Sequence, residues 1–242
     1  MHKIAKIIQN KIIELENSKK AQWLENYVKH NIKSRGVGIP LIRNIVKEIS
    51  KKYSLQNEPL RTQIKFLDDL VSQEYTEDKL ASIIFIQLNW EEIGVWEQLS
   101  VLSNWFDNKW IFDWNVCDWL CVKIFPRLIE KNPDLVIEEL HKWNKHEYLW
   151  KARASLVGLV YCPSLKLYKD VIEEFSIRLI NREERFAKTA VGWIMREYSK
   201  NDEAFVRGFV EYHIMNFTKE TINNSMKYFN SKVRKNFLQK LP

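Results

Sequence analysis

The run DWNVCDWLC (113–121) places Asp118 four residues after Trp114. On an α-helix that spacing sets both side chains on one side, one turn apart. Trp114, Cys117, Cys121, Val122, Phe125 and Leu128 mark the same stripe as the face such a helix would bury. A carboxylate on an apolar stripe costs free energy unless it is paired or its charge is used. Asp118 therefore either meets an arginine of a neighbouring helix or presents its charge to a ligand beside an indole face. The run LWKARASLVGLVY (149–161) carries the opposite charge in the same setting, with Arg153 interrupting Leu149, Leu156, Val157 and Val160. The planar guanidinium can bind two oxygens at once, so it suits a carboxylate such as Asp118 or a phosphate.

A third stretch, 183–199, presents Phe186, Ala187, Ala190, Val191, Ile194 and Tyr198 on one face. Its opposite face carries Arg185, Lys188, Thr189, Gly192 and Arg196, with Trp193 beside the glycine. A glycine inside a helix lets another backbone approach closely. That backbone is either a neighbouring helix or a phosphodiester strand lying on a basic, aromatic surface. Other catalytic patterns are missing: there is no glycine-rich phosphate loop, no HExxH and no GxSxG. The five histidines show no metal or triad spacing. Cys117, Cys121 and Cys162 are too few for a disulfide framework and read as buried thiols.

Helices must position these groups. Apolar residues recur at three- and four-residue spacing almost throughout the 242 residues. Ile4, Ile7, Ile8, Ile12 and Leu15 predict a first helix, and Trp23, Leu24, Tyr27 and Val28 a second. RGVGIP (35–40) is the clearest break, and Pro40 suits the first turn of a helix running to about Tyr53. Further helices are expected near 59–73, 77–89, 94–106, 113–131, 133–144, 147–161, 164–180, 183–199, 201–215, 218–229 and 231–240. IIFIQL (83–88) is the best strand candidate, and it lies inside a helical period. Helix starts near 113, 147, 183 and 218 give a period of about 35, the size of an antiparallel helix-pair repeat. With no long linker, residues 1–242 read as one all-α domain, a curved stack of helix pairs with a concave face.

Only six glycines and six prolines leave too few turn residues for a β-sandwich or barrel. Ten tryptophans must be buried or stack on something. No apolar run is long enough for a membrane span, and the charged N-terminus lacks a signal peptide's apolar stretch, so the cytoplasm is the expected compartment. The net charge of +7 is segregated. Residues 1–60 carry 12 Lys and Arg against 5 Asp and Glu, residues 61–140 carry 7 against 15, and residues 141–242 carry 19 against 11. Basic ends around an acidic middle fit a polyanionic partner, or a surface kept soluble by charge.

Four segments, in order, resemble one known family. VGWIMREYSK (191–200), the Trp114 and Asp118 pair within NKWIFDWNVCDWLC (108–121), Arg153 within LWKARASLVGLVY (149–161), and YVKHNIKSRGVGIP (27–40) are similar to the HEAT-like-repeat DNA alkylation repair proteins, the AlkD-type alkylpurine DNA glycosylases. The resemblance covers most of the chain. It implies a C-shaped α-solenoid with a basic concave face that holds duplex DNA, nucleoid-associated if the source is bacterial. It implies hydrolysis of the N-glycosidic bond of a cationic purine such as 3-methyladenine or 7-methylguanine, by a monomer without metal or cofactor. Carried over position by position, Asp118 is the catalytic carboxylate, and Trp114 and Trp193 pack on the damaged nucleotide. Arg153 holds the DNA backbone, while Tyr27, Arg185, Lys188 and Arg196 bind DNA around it. Gly38 departs from relatives with a polar side chain before the proline. Such a base leaves already charged, so the remaining task is to stabilise an oxocarbenium-like sugar and supply water. Two other readings are a non-catalytic member that binds branched or distorted DNA, and a helical-repeat scaffold for proteins.

Overall fold

The computed structural model describes residues 1–242, which form fourteen α-helices and three short 3-10 turns. In chain order the helices are α1 (Lys3–Ile13), α2 (Ser18–Tyr27), α3 (Ile39–Tyr53), α4 (Leu60–Val71), α5 (Thr76–Asn89), α6 (Val95–Asp107) and α7 (Trp114–Lys131). They continue as α8 (Pro133–Asn144), α9 (Leu149–Val157), α10 (Lys169–Ile180), α11 (Arg185–Tyr198), α12 (Glu203–Tyr212), α13 (Lys219–Ser225) and α14 (Ser231–Gln239). IIFIQL lies within α5. No helix is long and apolar enough to cross a membrane.

The expected helices form, with corrections at several ends. The segment 147–161 is helical only to Val157, because Gly158 lowers helix propensity and turns carry the chain on to Tyr161. The segment 164–180 divides into a 3-10 turn at Leu165–Tyr168 and α10. Helix 201–215 likewise ends at Tyr212 before a 3-10 turn at Ile214–Asn216. Asn132, Asp202 and Thr218 each accept an amide hydrogen bond at the start of the helix that follows, as N-caps do.

The chain gathers into two compact units, Met1–Ile124 and Phe125–Pro242. The boundary falls inside α7, beside Pro126, whose ring removes a backbone donor from the helix. In the first unit α3 and α4 pack on α5, and α1 covers all three. α5 is buried on every side through its first eleven residues, Thr76–Ile86, so its polar first turn is interior as well. In the second unit α9 packs on α8, α10 and α11, and α11 packs on α13. The starts of α7, α9, α11 and α13 at 114, 149, 185 and 219 keep the expected spacing. Four-residue turns (72–75, 145–148 and 181–184) join α4 to α5, α8 to α9 and α10 to α11, so each of these contacting pairs runs antiparallel.

Tryptophans supply much of both cores. Trp90, Trp105 and Trp143 are fully enclosed, and their indole N–H groups donate to Gln63 (2.7 Å), Asp68 (2.7 Å) and Glu139 (2.9 Å). Each ring buries a large apolar area while its one donor stays satisfied. Cys117, Cys121 and Cys162 are buried free thiols.

Between α2 and α3 the chain is pinned by buried polar groups. Glu77 accepts from the Ser34 hydroxyl (2.7 Å) and from the backbone amides of Arg35 (2.9 Å) and Val37 (3.2 Å). Arg35 donates to Asp78 (2.8 Å), pairs with Glu16 (3.1 Å), and lies with its guanidinium 3.7 Å over the Tyr75 ring. Gly36 sits at φ +72, where a Cβ would lie 2.2 Å from the Asn17 carbonyl oxygen. Only glycine fits that turn. The network fixes the entry to α3 and, with it, Gly38.

Candidate active site

The first unit brings Tyr27 and Trp114 together. Their rings meet edge to face with centroids 5.3 Å apart. Trp23 extends the group, stacked on Tyr27 at 5.5 Å with ring planes 3° apart. These two rings are not the buried stripe that their spacing suggests. Trp23 is 65% exposed and Tyr27 56%, and α2 has no buried residue at all; Val28, just beyond its end, takes the interior position. Lys29 and His30, both at positive φ, end α2 and turn the chain away before the apolar face can close on the core.

α7 carries Trp114 and Asp118. The residues it buries are Val116, Cys117, Leu120, Cys121, Ile124, Phe125, Leu128 and Ile129. Trp114, Asp118 and Val122 are half-buried and follow one another at one-turn intervals. Asp118 thus stands on the flank of the core face, not on it. The core face shares Cys117, Cys121, Phe125 and Leu128 with the sequence stripe but is centred about 50° further round the helix, because Val116, Leu120 and Ile124 are interior and Trp114 and Val122 are not.

That turn is held by two buried charged groups. Asp113 caps α7, accepting from the amides of Asn115 (2.8 Å) and Val116 (3.2 Å). Lys79, fully buried on α5, donates through Nζ to the carbonyls of Val71 (2.6 Å) and Trp110 (2.8 Å), with the Phe112 ring at 4.7 Å. Burial lowers the Lys79 ammonium to about 8, opposed by the charges of Asp113 and Asp78. Burial likewise raises the Asp113 carboxyl to about 6, opposed by its two amide donors and by Lys79. The two residues place the first turn of α7, and so Trp114 and Asp118, against the end of α4.

The raised Asp113 carboxyl has a consequence for stability. From pH 4 to 6 it ionises in the unfolded chain and stays protonated in the folded one. The unfolded state then binds fewer protons, so stability falls as pH rises through that window. Asp113→Asn keeps an N-capping side chain and cannot ionise. Urea unfolding at pH 4 and pH 7 is expected to show the variant gaining on the wild type by about 2–3 kcal/mol between the two. A constant difference between the two proteins would contradict this.

In the second unit Arg153 is 3% exposed on α9, a helix whose residues from Trp150 to Val157 are all buried. Its Nη1 donates to the Phe186 carbonyl (2.6 Å) and the Thr189 hydroxyl (3.1 Å), tying α9 to the first turn of α11. α11 carries the remaining candidates. Arg185 makes a two-pronged pair with Glu220 at 2.8 and 2.7 Å, and both side chains are about half exposed. Lys188 donates to the Asn216 carbonyl at 2.9 Å. Arg196 bonds Glu197 (2.8 Å) and Asn224 (3.0 Å), with its guanidinium 5.8 Å from the Trp193 ring. Trp193 is half-buried, meets Tyr161 edge-on at 6.1 Å, and has a buried indole N–H with no partner. Trp193 and Arg196 therefore share a surface, as the sequence suggests.

Gly192 does not provide room for a phosphodiester strand. It is buried, and a Cβ there would lie 3.2 Å from the Thr221 carbonyl and from Asn224 Cβ. The glycine lets α13 close onto α11, the helix-packing alternative.

A model of the DNA alkylation repair enzyme family matches residues 8–229. The chain belongs to this family. Membership supports a role in DNA repair. The fold is also similar to a solved structure titled a predicted DNA alkylation repair enzyme from Enterococcus faecalis. The two are 17% identical with a TM-score of 0.74, over 89% of this chain and 97% of that one. At that identity the likeness speaks for the fold. No curated protein matches the sequence.

Sequence reasoning missed the buried polar groups that hold the entry to α3 and the first turn of α7: Arg35, Glu77, Asp78, Lys79 and Asp113. TEDK (76–79) looks like a solvated first turn. The available signal was the continuous apolar run after it, which marks a helix buried on all sides and forces its first turn inside too.

Proposed function

We propose that this chain is a DNA glycosylase that hydrolyses the N-glycosidic bond of cationic alkylated purines, 3-methyladenine and 7-methylguanine, in duplex DNA. Beyond family membership, the observation that carries the reading is a half-buried carboxylate, Asp118, one turn from an indole that is itself met by Tyr27. A purine alkylated at N3 or N7 is a cationic leaving group and departs without a general acid. Positive charge then develops on the deoxyribose. Asp118 stabilises that charge and orients the attacking water, and the low local dielectric strengthens its effect. Aromatic faces beside a developing cation add about 0.5–2 kcal/mol each. In this reading Trp114 and Trp193 flank the damaged nucleotide and Tyr27 supports Trp114.

Arg153 holds the DNA backbone near the lesion, and Arg185, Lys188 and Arg196 bind phosphates around it. The exposed pair of Arg185 with Glu220 is worth little in water, so a phosphate can take the place of Glu220. Release of methylated bases from methylated duplex DNA tests the activity directly. Duplex binding without any base release would instead favour the non-catalytic reading. Binding is expected to be dominated by backbone contacts, with log affinity falling against log salt at about 0.9 per phosphate contacted. Titration with a fluorescent duplex between low and physiological salt checks this, and a flat dependence would remove nucleic acid as the partner.

A further inference from the structure

The charge at the end of the chain is one-sided. Residues 221–242 carry five Lys and Arg and no Asp or Glu. They form most of α13, the turn after it, and α14. Lys240 pairs with Glu211 at 2.6 Å. Lys227, Lys232, Arg234 and Lys235 have no acidic partner.

Packing does not account for these charges. Of the nine residues of α14 only Phe237 is buried. Lys232 and Lys235 are both exposed and three residues apart, so they share one side of the helix and repel one another. The family's common fold does not account for them either. The family match ends at residue 229, and α14 begins at Ser231.

The segment continues the surface of Trp193. Arg196, whose guanidinium is 5.8 Å from the Trp193 ring, bonds Asn224 on α13 at 3.0 Å. Four residues further on, Tyr228 is 52% exposed, and Lys200 lies 4.9 Å from its ring centre. From Trp193 to Lys200 is seven residues, about 10 Å along a helix axis. Glu197 pairs with both Arg196 and Lys200 along this path, and beyond it the cations meet no carboxylate until Lys240.

The form of the patch selects the partner. A membrane surface would need apolar side chains standing beside the cations. Val233, Phe237 and Leu238 are buried or half-buried, and the exposed side of α14 is polar. Duplex DNA carries one negative charge per about 1.7 Å of its axis, so a duplex lying on Trp193 and Arg196 offers further phosphates to cations placed along the same surface.

We propose that α14 and the turn before it grip the phosphodiester backbone of the duplex beyond the lesion. The proposal rests on the reading that the chain acts on DNA. Lys232 and Lys235 bind phosphates, and Lys227 and Tyr228 join them to the surface around Arg196. Phosphates carry no base information, so this grip holds damaged and undamaged duplexes alike. It is made equally before and during bond cleavage, so it adds to retention and not to the rate of excision.

The double variant Lys232→Gln with Lys235→Gln removes two exposed charges. Arg61→Gln with Lys65→Gln removes the same charge from two exposed residues of α4, in the first unit, which also have no acidic partner. Each full-length protein is titrated with a fluorescent duplex, methylated and unmethylated, over a range of salt. The α14 variant is expected to lower the magnitude of the log–log salt slope by about 1.8, so its loss of affinity should be roughly tenfold larger at about 50 mM salt than at about 200 mM. The loss should be the same for both duplexes, and the α4 variant should keep the wild-type slope. At saturating protein the single-turnover rate of excision by the α14 variant should stay within about twofold of wild type. A slope unchanged in the α14 variant, or lowered equally in both variants, overturns the proposal. The excision assay separates the two readings. A lowered slope in the α14 variant alone, with no base release by wild type, leaves the grip standing and removes the glycosylase. Base release by wild type, with a slope that the α14 variant does not change, does the reverse.

Discussion

Asp118→Asn is expected to slow excision of 7-methylguanine by roughly 10²–10³-fold, the scale of losing one preorganised electrostatic group. Affinity for duplex DNA should change by less than about threefold, because the carboxylate acts on charge that exists only in the transition state. Asparagine keeps the shape of the side chain on the flank of α7 and removes only its charge. Asp118 is half-buried there, so the variant should fold, and its melting temperature is the control. A variant that unfolds would mark Asp118 as a structural ion-pair member, and undiminished excision would end its catalytic role. Arg153→Ala should behave differently. Its guanidinium is assigned to the DNA backbone, so binding and excision should fall together. It also ties α9 to α11 through Phe186 and Thr189, so this variant should melt earlier than Asp118→Asn.

The second large effect is on folding. Arg35→Met is expected to destabilise the protein by about 3–5 kcal/mol, the cost of leaving one member of a buried ion pair alone. Asp78 is fully buried, and without Arg35 its carboxylate keeps only the Gln9 amide at 3.2 Å. Burial already raises the Asp78 carboxyl, with Arg35 as the main opposing influence. The double variant Arg35→Met with Asp78→Asn should recover more than half of the loss, since no uncompensated charge is then interior. Urea unfolding of the two variants measures the difference. Equal stability of the single and double variants would show that the pair is not what holds the loop.

The sequence by itself determined the helical class, nearly every helix, and the break at residues 35–40. It did so because the apolar period and the glycine and proline positions are local properties of the chain. The same period located Trp114 with Asp118, and Trp193 with Arg196, one turn or less apart on their own helices.

Only the tertiary structure decided which polar and aromatic groups are inside. A helical stripe says which residues share a face. It does not say whether a second face is covered by helices distant in sequence, and α5 and α9 are covered on every side. Glu77, Asp78, Lys79, Lys151 and Arg153 are interior for that reason. The reverse holds for α2, where Trp23 and Tyr27 have the spacing of a core stripe and no helix closes over them. Gly192 shows the same dependence. Its missing side chain allows any close approach, and the arrival of α13 determined which one it serves.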